Sequence, residues 1–137
     1  MGMELREEIA ATRAGTGDPA ALLGEFRRTA MLVPTVTDDR LMSAHYGGIR
    51  WIFAFTDEAA LARFAQERGE APGTEWTYVS VLGARLLDAV VPALDGPTGV
   101  AVNAADQDGS MLFPPARGIV PDEAAVDGPA HRGEGGR

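Results

Sequence analysis

Ser43 and His45 stand two residues apart, with Asp38 and Asp39 just upstream. These are the residue types of a nucleophile, a base and an orienting carboxylate. In a strand that spacing turns both side chains to the same face, whereas an activated serine needs a sharp turn to expose its hydroxyl. No Gly-x-Ser-x-Gly elbow occurs in the chain. The pair is expected to be the polar side of a half-covered strand. Asp106-Gln107-Asp108-Gly109-Ser110 begins like a calcium loop, but Met111 and Arg117 stand where that loop needs its glycine and its glutamate. Asp57 and Glu58 are adjacent carboxylates at a helix start, where they point apart and complement the helix dipole. All twelve basic residues are arginine, so lysine Schiff-base chemistry and a P-loop lysine are excluded. There is no cysteine, which removes thiol nucleophiles, disulfides and thiolate metal sites. Only His45 and His131 are available as imidazole ligands. No catalytic residue, cofactor or metal is expected.

Composition narrows the partners. With 137 residues, 45% hydrophobic and 23% charged, the chain can bury a core as one domain. A net charge of −8 argues against nucleic acid or an anionic membrane as partner, since both demand a positive field. No apolar run approaches the roughly 18 residues of a membrane span. The first residues lack the basic and apolar regions of a signal peptide. A cytoplasmic protein is the expectation.

The stretch from Gly48 to Arg68 organises the rest. Ile49, Trp51, Phe53 and Phe55 alternate with Ile52 and Ala54, so a strand apolar on both faces is expected inside a covered sheet. At Thr56 the period becomes helical, with Ala60, Leu61, Phe64, Ala65 and Arg68 on one face. Thr56 is the expected N-cap. Upstream, residues 3 to 14 predict a short helix with Leu5, Ile9 and Thr12 inward. Asp18-Pro19 then starts a second helix with Leu22, Leu23, Phe26 and Ala30 as its buried stripe. Met31 to Val36 reads as a strand, which Pro34 should confine to an edge or to a bulge. A second strand spans Leu41 to Tyr46, and Gly47-Gly48 signals a hairpin into the central strand.

Beyond the 57–68 helix come a Gly/Pro loop at 69–74, a strand at Trp76 to Val81, and a helix opened by Gly83 and ended or kinked by Pro92. A strand at Thr98 to Asn103 and a short one at Met111 to Phe113 complete the pattern. The expected fold is α/β (α+β): a mixed sheet of about five or six strands, an N-terminal antiparallel meander followed by two βα crossovers, with helices packed on the sheet. Residues 1–115 are expected to form one domain with its core at 18–115, and 116–137 a Pro/Gly-rich flexible tail.

Leu32-Val33-Pro34 after an amphipathic helix, then Phe55-Thr56-Asp57-Glu58-Ala59 with Leu61 and Phe64, then Asn103 ending a late strand before a Pro-containing segment, form an ordered set. Over residues 18–115 this set resembles the N-terminal domain of the SseB-like (enhanced serine sensitivity) family of bacteria. The family is named for a phenotype, and its motifs are not catalytic. In many relatives proline follows the asparagine, whereas Ala104 follows Asn103 here. The resemblance implies a non-catalytic domain that binds another protein, of regulatory, adaptor or immunity type.

Two places are expected to carry that binding. If the strands ending at Phe55, Val81 and Val102 run parallel, Thr56, Asp57, Gly83 and Asn103 lie along one edge, with helix N-termini at Thr56 and Gly83. The carboxylates there suit a cationic group, from a partner or from an amino-acid-like small molecule. The second place is Trp76, an amphipathic ring at a strand start, the kind of residue that anchors interfaces.

Overall fold

The structure, a computed structural model, describes residues 2–71 and 76–127, apart from the side chain of Met3. The 69–74 loop lies partly outside the described residues, as do residues 128–137 of the expected tail. The central strand is β4 (Ile49–Ala54), reached from β1 (Ala30–Val36), β2 (Arg40–Leu41) and β3 (Ser43–Tyr46). The first turn bends through Asp38 and Asp39, with φ of 63° and 59°; aspartate is among the few side chains that tolerate this left-handed region. Gly47 and Gly48, with φ of 64° and 81°, join β3 to β4. Tyr46 pairs directly with Ile49, so the link is a two-residue hairpin turn with both central residues at positive φ.

Pro34 explains why the second strand is broken into two. Outward alternation along β1 sends Pro34 toward the meander, where it has a carbonyl and no N–H. Its carbonyl accepts the Met42 amide at 2.8 Å, and the Met42 carbonyl accepts Phe53 N–H at 3.1 Å. Met42 is thus the bulge between β2 and β3, and β1 is an interior strand. Two N–H···O bonds of 2.8 Å between Leu32 and Phe55 join β1 to the end of β4.

After α3 (Glu58–Glu67), strand β5 (Tyr78–Leu82) pairs antiparallel with β1. Strand β6 (Thr98–Val102) lies parallel beside β4, and β7 (Met111–Phe113) closes that side antiparallel. Because β1 opposes both β4 and β5, the latter two run the same way without being neighbours. The expected third parallel strand therefore has the right direction but a different partner. Between β5 and β6 the helix runs over 83–93 as α4 (Gly83–Arg85), a π-turn (Leu86–Val90) and α5 (Val91–Ala93). Pro92 cannot donate to the Asp88 carbonyl, and one residue earlier Val91 N–H reaches back to Leu86.

The two faces of β4 bury different partners. Ile52 and Ala54 join Met31, Val33, Val100 and Val102 under α1 (Gly2–Arg13), α2 (Pro19–Arg28) and the 83–93 helix, through Leu5, Ile9, Phe26, Leu86 and Leu87. Phe53 and Phe55 meet α3 through Ala60, Leu61 and Phe64. The fold is α+β; the described residues hold seven strands because the meander's middle strand splits, and they form two sheets, β2-β1-β5 and β3-β4-β6-β7, in place of the single mixed sheet expected. The first core continues past residue 115: Val120 and Ala125 are buried in it, and Val126 N–H bonds the Pro115 carbonyl at 2.8 Å. The tail expected from 116 is therefore packed through 127. Proline and glycine erase its periodicity without erasing its apolar side chains.

Candidate functional site

Thr56 and Asn103 end the two parallel strands and fasten them together. Asn103 has φ of 51° and is fully buried. Its Oδ1 accepts Thr56 N–H at 3.1 Å, and its Nδ2 donates to Thr56 Oγ1 at 3.1 Å. Asparagine fits here because it tolerates the left-handed conformation and offers both an acceptor and a donor. Both are spent inside the protein, so Asn103 presents nothing to a ligand. Thr56 is likewise buried and does not cap α3. That cap is Asp57, whose Oδ1 accepts Ala60 N–H at 2.8 Å while Thr56 is held by the asparagine.

The cationic group expected at this edge is supplied by the chain itself. Arg6 of α1 meets Asp57 Oδ2 at 2.9 Å. Arg63 of α3 grips Asp106 with two bonds, Nε to Oδ1 at 2.7 Å and Nη2 to Oδ2 at 2.9 Å. That grip holds the Asp106 carboxyl below its ordinary range. Arg13 donates to the carbonyls of Gln107 and Ser110 at 2.7 and 3.0 Å, tying α1 to the loop after β6. The seven-residue interval between Arg6 and Arg13 puts them on one side of α1, which is the signal in the sequence that could have revealed this clamp.

Gly83 does not join this edge. Its N–H bonds the Thr29 carbonyl at 2.9 Å as the last rung between β1 and β5. A Cβ there would lie 2.0 Å from the Phe26 carbonyl oxygen, so glycine is required by the close approach of α2. Of the four residues expected together, Thr56, Asp57 and Asn103 converge, and Gly83 sits under a helix on the far side of β1. Ser43 and His45 share a face as expected, with no hydrogen bond between them among the described residues. Among those residues, no three His, Asp or Glu side chains gather into a metal site.

Trp76 stands elsewhere. Half-buried, it meets the Phe64 ring edge-on at 5.9 Å between centroids. From it the chain enters β5, and no residue from Trp76 to Gly83 is charged. Tyr78, Val79 and Leu82 are 37%, 42% and 51% exposed. The Tyr78 hydroxyl donates to Glu58, whose carboxylate raises the phenol above its ordinary pKa. Since Val79 and Val81 alternate with Leu32-facing Ser80, the backbone direction of β5 follows from its partner. Leu32 turns its N–H and carbonyl to Phe55, so the rungs to β5 fall at Met31–Val81 and Val33–Val79. Tyr78, Ser80 and Leu82 consequently direct their N–H and carbonyl groups outward. No described strand lies on that outer side of β5.

Site and fold together define an α+β domain with an internally clamped strand-end edge and an open edge strand. Compared with protein-family models, curated proteins and solved structures, the chain matches none. No helix among the described residues is long and apolar enough to cross a membrane.

Proposed function

We propose that this chain is a non-catalytic, cytoplasmic protein-binding domain, which receives an extended segment of a partner protein along β5. The observation that carries the reading is the outward row of backbone groups on an edge strand with no charge, proline or bulge to protect it. Edge strands without such protection invite pairing, and strand addition is a recurrent mode of peptide recognition. Exposed Tyr78 and Leu82 lie on one face of that strand and Val79 on the other, positions from which alternate side chains of an added strand would be read. Trp76, seated on Phe64, is a rigid anchor at the entrance. Tyr46, though 82% exposed, stands alone at a hairpin tip and needs no partner. A second copy as occupant is disfavoured by mutual repulsion of two chains of net charge −8.

The resemblance to the SseB-like family supports the same reading, as a domain of regulatory, adaptor or immunity type. The rival, an amino-acid-like ligand at the strand ends, has less support, because Asn103 and Thr56 are buried against each other and Asp57 already holds Arg6.

Ser80→Pro separates binding from folding. Its N–H faces outward, where proline is tolerated on an edge, so the fold should persist while an added strand loses a rung and meets the ring. Immobilised wild-type domain should retain a partner from lysate of its native cells, and folded Ser80→Pro should not. Equal retention by the variant would remove β5 from the binding surface.

A further inference from the structure

A cleft of about 530 Å³ opens on the other end of the sheet, among the meander strands and the segment after α5. Arg50 on β4 pairs across to His45 on β3, and Ile52 pairs across to Ser43. Alternation places Arg50 on the same face as Ile52, so these four side chains line one wall. Leu41 and Leu94 add apolar walls, and Arg40 and Asp39 stand at the same opening.

Arg50 is set apart from the other described arginines by a buried, unpaired guanidinium nitrogen. Arg6, Arg27, Arg28 and Arg63 each meet a carboxylate within 4.0 Å. Among the described residues, Arg40 and Arg50 meet none, and the Arg50 Nε is buried with no hydrogen-bond partner. A buried donor left unpaired costs stability, and native proteins keep few of them without a reason. In a chain of net charge −8, this is a local concentration of positive charge beside an apolar hollow.

We propose that this cleft binds a small organic molecule bearing one carboxylate and an apolar body. The guanidinium fork of Arg50 matches a carboxylate in two parallel bonds. Ser43 and His45 add donors beside it, while Leu41 and Leu94, which are partly exposed, receive the body. Asp39 contributes a negative charge at the opening, which favours a monoanion over a doubly charged phosphate. The volume suits a ligand of this size. Such a site lies apart from β5 and is independent of the protein-binding reading.

The test is a titration of the isotope-labelled protein with benzoate and hexanoate, followed by amide and arginine side-chain resonances. Saturable shifts confined to residues 39–52 and 94 are expected. Arg50→Gln should weaken binding about ten-fold or more, and Arg117→Gln, an exposed arginine outside the cleft, should leave it unchanged. Should Arg50→Gln fail to fold, Arg40→Gln carries the same test, with a several-fold loss expected. Absence of saturable shifts, undiminished affinity in the folded arginine variant, or equal binding of benzamide or phenyl phosphate would overturn the proposal.

Discussion

Replacing Asn103 with alanine tests how the strand ends are held. The change strands Thr56 N–H in a buried position, at a cost of about 1–3 kcal/mol. It also removes a partner from Thr56 Oγ1, worth about 1 kcal/mol. Alanine must then adopt φ near 51°, which costs it roughly another 1 kcal/mol. The sum is about 3–5 kcal/mol, a large share of the roughly 5–15 kcal/mol of a whole domain. Thermal or urea unfolding of Asn103→Ala measures it, and two companions divide it. Asn103→Gly has no Cβ, so it should recover roughly 1 kcal/mol of the loss. Thr56→Val keeps the amide bond to Oδ1 and should cost only about 1–2 kcal/mol. A loss in Asn103→Ala below about 1 kcal/mol would refute the latch, and would return Asn103 to the pool of groups free to meet a ligand.

Other variants probe the rest of the framework. Phe64 lies 4.8 and 5.0 Å from the Phe53 and Phe55 rings, so Phe64→Ala should cost about 3–5 kcal/mol in chemical unfolding. Gly83→Ala drives a methyl into the Phe26 backbone and should cost about 1–3 kcal/mol or more by the same assay. Asp106 has a lowered folded-state pKa because of Arg63. Its pair therefore contributes fully above the ordinary carboxylate range, about pH 4, and the contribution fades as acid protonates Asp106 in the folded state. Asp106→Asn should be less stable than wild type at pH 7 by only about 0.5–1 kcal/mol, since Arg63 is half exposed. That gap should close on acidification, as pH-dependent unfolding curves would show.

Much of the fold was legible in residue pattern. The two-faced alternation of β4, the helical stripe through Phe64, the Gly47-Gly48 hairpin and the Asp18-Pro19 helix start are local signals, and each occurs where expected. Pro34 pointed to an edge place or a bulge for its own strand, whereas β1 is interior and unbroken and the bulge falls at Met42 of the neighbouring strand. The neighbour of β5 was not legible, because the order of strands is set by long-range packing that no local period records. Gly83 opens the 83–93 helix as expected, but its glycine answers the approach of α2, and the place of β5 beside β1 carries it away from the Thr56–Asn103 edge. The strand-end site failed similarly. The carboxylate of Asp57 suggested a cationic group from outside the chain, whereas the fold brings the chain's own Arg6 to it and Arg63 to Asp106. Val120 and Ala125 were hidden by the prolines and glycines around them.

The central claim concerns the backbone of β5, and amide hydrogen exchange measures it directly. In the free domain Val79 and Val81 should be protected by β1, whereas Tyr78, Ser80 and Leu82 should exchange quickly. In complex with the partner retained by the wild-type domain, Tyr78, Ser80 and Leu82 should become protected while exchange at Thr56 and Asp57 stays as it was. Unchanged exchange along β5 in a saturated complex would contradict strand addition, and new protection centred on Asp57 would place the partner at the strand ends instead.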